Sequence, residues 1–138
     1  AAGSVEALAA EVVAAVSSAD RTRLQEIALN EEEFREVVWP ELPASRLQRN
    51  LPFDYVWGDL RVKSAGSLAQ TLDRFGGKPW TLVSVRFAGQ TTQYQSYLVR
   101  REAHLVLRGE DGVEEEVRLF GSVLEQDGRF KVFSYNID

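Results

Sequence analysis

The sequence predicts an α+β domain in which N-terminal helices pack on a strongly curved four-stranded antiparallel meander sheet. Three observations carry that expectation. Apolar residues recur at helical spacing as far as Phe75, the period changes to two from Trp80 onward, and the alternating segments are joined by short turn signals. Helices first and strands afterwards imply segregated layers, not a βαβ order. The 138 residues fit one domain, positions 1–138, with no linker, repeat or low-complexity segment.

Ser4 is a good N-cap for a first helix whose stripe is Val5, Leu8, Ala9, Val12, Val13 and Val16. Asp20 stands near the start of a short second helix carrying Leu24, Ile27 and Ala28. Asn30 followed by Glu33 is an asparagine form of the capping box and opens a third helix. Pro40 is expected to close it, because proline disfavours α geometry at Trp39. Pro52 suits the first turn of the next helical stripe, Phe53, Val56, Trp57 and Leu60, which Leu68, Leu72 and Phe75 extend. Gly58 and Gly66 each cost about 1 kcal/mol relative to alanine inside a helix, which leaves one long helix or two short ones open. Gly76 and Gly77 end the pattern.

Residues 80–89, 92–109, 113–126 and 129–137 read as strands, joined at GQT, GEDG and QDG. Alternation places Val99, Arg101, Ala103, Leu105 and Leu107 on the core face of the second strand and Arg100, Glu102, His104 and Arg108 on the other. His104 then lies opposite Glu116 or Arg118, among solvated charges. On the third strand Phe120 and Leu124 break the pattern. A two-residue turn at Asp127–Gly128 would turn Ser134 and Asn136 inward; a three-residue turn would do so for Phe133 and Tyr135.

An arginine on an apolar face is costly unless it is paired. Arg101 therefore meets a helical carboxylate (Asp54, Asp59 or Asp73), anchors an anionic or carbonyl-bearing ligand, or is turned out by a bulge. Tyr97 lies further along the same face. Arg101, Tyr97, Asp54 and Trp57 are thus the candidate ligand-binding residues, although Trp57 and Trp80 read first as packing. No catalytic residue is assigned.

A net charge of −5 argues against a nucleic-acid partner. There is no cysteine and His104 is the single histidine, so neither a metal nor a cofactor is expected. No phosphate loop, nucleophile elbow or zinc-protease motif is present. The N-terminal apolar run is interrupted by Glu6 and Glu11 and is not read as a membrane span. Methionine is absent even at position 1, which is compatible with a mature exported chain or an excised domain; the reading leans to the first, an extracytoplasmic location. Phe120 and Leu124, joined by Phe133 and Tyr135, would form an apolar outer patch, from which a homodimer through the sheet is expected.

Two short helices with "ADRTRLQEIALNEEEFREVVWP", a further helix, and a meander ending in "EQDGRFKVFSYNI" resemble the cone-shaped nuclear transport factor 2-like superfamily. The likeness covers nearly the whole chain, its most specific piece being Asp127 to Val132. It implies a pocket between helices and a concave sheet. Members related to ketosteroid isomerase or scytalone dehydratase use an inward aspartate or histidines; no residue here is carried over, because the strands offer no inward acid and His104 faces out. The functional expectation is a non-catalytic domain binding a small ligand or a partner. The alternatives are an isomerase or lyase using Asp54 with Tyr97 as hydrogen-bond donor, or a structural dimerisation module.

Overall fold

A computed structural model describes residues 2–45 and 51–137. Helix α1 (Val5–Ser17) starts where the Ser4 hydroxyl accepts from the amide of Ala7 at 3.0 Å, and it buries Leu8, Ala9, Val12, Val13, Ala15 and Val16. Asp20 caps α2 (Arg21–Glu26) through the amide of Arg23. The capping box closes in both directions at α3 (Glu31–Glu33): Asn30 accepts from the Glu33 amide at 2.8 Å, and Glu33 accepts from the Asn30 amide at 3.2 Å.

The end of this helix differs from expectation. It widens into a π turn (Phe34–Val38) and continues as a 3₁₀ turn (Trp39–Glu41), with Trp39 in helical geometry at φ −54°, ψ −45°. Pro40 is tolerated because it sits at the start of the 3₁₀ turn, where its missing amide is not needed. Helix α4 (Phe53–Phe75) is one continuous helix through Gly58 and Gly66. It stops at Gly76, where a Cβ would collide with the Leu72 carbonyl oxygen.

The expected single curved sheet is corrected to two antiparallel sheets. Strands β1 (Thr81–Phe87), β4 (Ala103–Arg108) and β5 (Glu114–Val117) form one, in the order β1-β4-β5. Strands β2 (Thr91–Gln93), β3 (Leu98–Arg100), β6 (Ser122–Gln126) and β7 (Arg129–Ser134) form the other, in the order β2-β3-β6-β7. The chain reverses at residues 94–97, where the Tyr94 amide donates to Tyr97, and not at the GQT signal. Backbone bonds from Ala88 to Glu102, Gly89 to Arg101 and Ala103 to Gly121 carry the pairing from one sheet into the other.

The break at Arg101 and Glu102 decides which residues share a face. Glu102 has φ +58°, so alternation is interrupted there. Ala103, Leu105 and Leu107 enter the main core with α1, α2, Val123 and Val132. Val99 instead joins a second core with Phe34, Val38, Tyr97 and Leu124, packed by Phe53, Trp57, Leu60 and Phe133. The four-stranded sheet is therefore covered on both faces. Phe120, Leu124 and Tyr135 are buried within the chain, so the apolar outer patch expected from alternation does not form.

Asp127 (φ +51°) and Gly128 (φ +74°) make the two-residue hairpin turn, with Gln126 paired to Arg129. Further along, Val123 pairs with Val132 but Ser122 with Ser134, so Phe133 is an extra residue on β7. That bulge lets both Ser134 and Tyr135 be buried. The outer edge of β7 is occupied by Ala2 and by the segment after α2: Phe130 donates to Ala2, Val132 to Ile27, and Leu29 to Val132.

Candidate functional site

The second core opens to the surface as a cleft of about 380 Å³ between α4, the α2–α3 connection and the end of β7. One face of α4 supplies Trp57, Leu60, Ser64 and Leu68, spaced by three and four residues and hence aligned on one side of the helix. Ala28 and Leu29 form the opposite wall, and Phe133 and Tyr135 close the floor. Phe34 fixes this aromatic group from behind, with ring centroids 5.1 Å from Trp57 and 6.5 Å from Phe133.

The polar atoms of the floor are already engaged. The Ser64 hydroxyl accepts from the Tyr135 amide at 3.0 Å, pinning α4 to the end of β7. Tyr135 donates its own hydroxyl to the Leu24 carbonyl, and burial pushes that hydroxyl well above the usual tyrosine range. What remains facing the cleft from below is apolar.

The rim is charged. Arg21, the first residue of α2, and Arg61 on α4 both line the cleft and are exposed. Neither forms an ion pair among the described residues. Glu31, the one carboxylate of the lining, faces Arg35 at 3.7 Å, and the Asn30 side chain is held in the capping box. No histidine lines the cleft, and among the described residues no three His, Asp or Glu side chains come together as a metal-binding group. A cavity of about 340 Å³ beside α1, α2 and β7 has a different character. Its charges largely satisfy one another: Arg23 holds Glu11 at 3.0 Å and Glu26 at 3.4 Å, and Lys131 holds Glu33.

Of the residues expected to bind a ligand, the fold brings Trp57 alone to this cleft. Tyr97 is 2% exposed, stacked on Tyr94 with centroids 4.7 Å apart, and donates its hydroxyl to the Val38 carbonyl at 2.8 Å. Burial raises its hydroxyl above the ordinary range as well. Arg101 lies between β3 and β4, half-buried, and reaches the Thr92 hydroxyl at 3.4 Å; of the three readings left open, it meets no helical carboxylate among the described residues and lies instead at a local break in the strand. Asp54 and Asp73 are exposed on α4, and Asp59 pairs with Lys63 at 3.0 Å. Asp54 and Tyr97 thus present no joint acid–donor arrangement. His104 sits on the outer face with its Nδ1 2.9 Å from Glu116, which also accepts from Arg86.

Sequence reasoning passed over Leu29, Arg21 and Arg61. The signal for the arginines was weak but present, since each adjoins an apolar stripe without a carboxylate at i±3 or i±4 on the same helix. Comparison of the chain with family models, curated proteins and solved structures finds no match. No helix among the described residues is long and apolar enough to cross a membrane.

Proposed function

We propose that the chain is a non-catalytic binding domain that takes a small molecule with an apolar body into the cleft between α4, the α2–α3 connection and β7. The observation that carries this reading is an aromatic and aliphatic cleft whose floor has its polar groups internally bonded. Its volume, about 380 Å³, falls in the roughly 300–1,000 Å³ range of ligand sites. Trp57, Leu60, Leu68 and Phe133 offer contact area, and no acid–base pair among the lining residues supports a reaction there. We also read the chain as a relative in architecture of the nuclear transport factor 2-like cone. In support, the helices precede the strands and the cleft lies between a helix and the sheet, where that likeness puts a pocket.

The test uses N-phenyl-1-naphthylamine, a neutral apolar dye that brightens on leaving water. Titration into the protein should give a saturable fluorescence rise. Ala65→Trp, which fills the mouth from an exposed helical position, should abolish the rise while leaving the melting temperature unchanged. A wild-type signal that survives Ala65→Trp intact would place the dye elsewhere and refute the reading.

A further inference from the structure

Resting on that reading of the cleft, we infer that its occupant is an amphipathic anion, an apolar body bearing one carboxylate that Arg21 and Arg61 hold at the mouth. Two cations flank an apolar cleft from separate elements, α2 and α4, and neither has an ion-pair partner among the described residues. The chain carries a net charge of −5, and Arg23, Arg35, Lys63, Arg86, Arg100, Arg108 and Lys131 are paired with carboxylates; among the cations without such a partner in the described residues, Arg21 and Arg61 are the two that line this cleft.

The lining sets these two arginines against one carboxylate, Glu31, which stands 3.7 Å from Arg35. Below the rim, the Tyr135 amide is taken by the Ser64 hydroxyl oxygen and the Tyr135 hydroxyl by Leu24, and Trp57, Leu60, Leu68 and Phe133 make up most of the wall, so an apolar tail finds more contact there than a polar one finds partners. Charge complementarity therefore orients the ligand with its head outward and its hydrocarbon or ring against Trp57, Leu60 and Phe133. Guanidinium groups suit this role because they bind a carboxylate through two parallel hydrogen bonds. An ammonium head would be repelled by both arginines. A neutral head would gain nothing from them.

Competition against bound N-phenyl-1-naphthylamine separates the possibilities. Sodium octanoate, 1-octanol and octylamine share one tail and differ in charge. Octanoate should displace the dye at a concentration about fivefold lower than octanol, a modest factor because both arginines are exposed to solvent. Octylamine should be the weakest. The double variant Arg21→Gln/Arg61→Gln should abolish the advantage of octanoate over octanol, read as the ratio of their displacing concentrations in the same protein, and added sodium chloride should weaken octanoate alone. Octanoate no better than octanol, or an advantage that survives the double variant, would overturn the anion assignment while the cleft reading stands. Dye binding that is absent, or indifferent to Ala65→Trp, would overturn both.

Discussion

Tyr135 donates its hydroxyl to the backbone carbonyl of Leu24, so the end of β7 is tied to α2 across 111 residues of sequence. The bond is buried and sets the floor of the cleft against one of its walls. Tyr135→Phe leaves that carbonyl without its partner in a place water does not reach. The expected loss is about 1–3 kcal/mol, read as a lower urea midpoint at an unchanged slope.

The same residue gives stability a dependence on alkaline pH. In the unfolded chain its hydroxyl ionises near 10, whereas burial raises that value in the fold. Below about pH 10 both states keep the proton and the contribution is fully present; above it the unfolded chain releases the proton first, and stability falls. Each such group steepens the decline by up to about 1.4 kcal/mol per pH unit. Urea unfolding followed above and below that pH should show a shallower decline for Tyr135→Phe than for the parent. Tyr97 is shifted in the same direction by burial and should behave alike in sign.

The corner between the sheets should respond oppositely to two exchanges. A Cβ at Gly89 would lie 2.9 Å from the Arg101 Cβ and 3.2 Å from its carbonyl carbon, so Gly89→Ala forces the two arms apart. About 1–3 kcal/mol of destabilisation is expected. Glu102, at φ +58°, is held where glycine is at ease, and Glu102→Gly should stabilise by about 1 kcal/mol. Thermal unfolding of the two variants decides it.

Ala19 ends α1 in the left-handed region at φ +53°, with its amide bonded to Val16 and the next amide to Ala15. Ala19→Gly relieves a Cβ clash without altering those bonds. A gain of about 1 kcal/mol is expected in the same unfolding assay.

What the sequence made legible is what short-range chemistry decides. Ser4, Asp20 and the Asn30–Glu33 pair act within one turn of themselves, and Asp127–Gly128 forms its hairpin from its own backbone preferences. The corner at Arg101 and Glu102 was open to the sequence only as one of three readings, a bulge at Arg101, because apolar residues keep alternating straight through it. Val99 and Ala103 obey one period and yet enter different cores. Phe133 concealed its bulge in the same way. The cleft was readable in half: Trp57, Leu60 and Leu68 formed a visible stripe, but whether a stripe is packed tight or left open depends on where the α2–α3 connection comes to rest, and so does the want of partners for Arg21 and Arg61.

The most direct measurement follows the indole N–H signals of Trp39, Trp57 and Trp80 in a ¹H–¹⁵N correlation spectrum while sodium octanoate is added. Only Trp57 lines the cleft, and the Trp80 indole already donates to the Phe75 carbonyl at 2.9 Å. A saturable shift centred on Trp57, with Trp80 still, is the predicted result. Saturable binding that leaves Trp57 unmoved would contradict it.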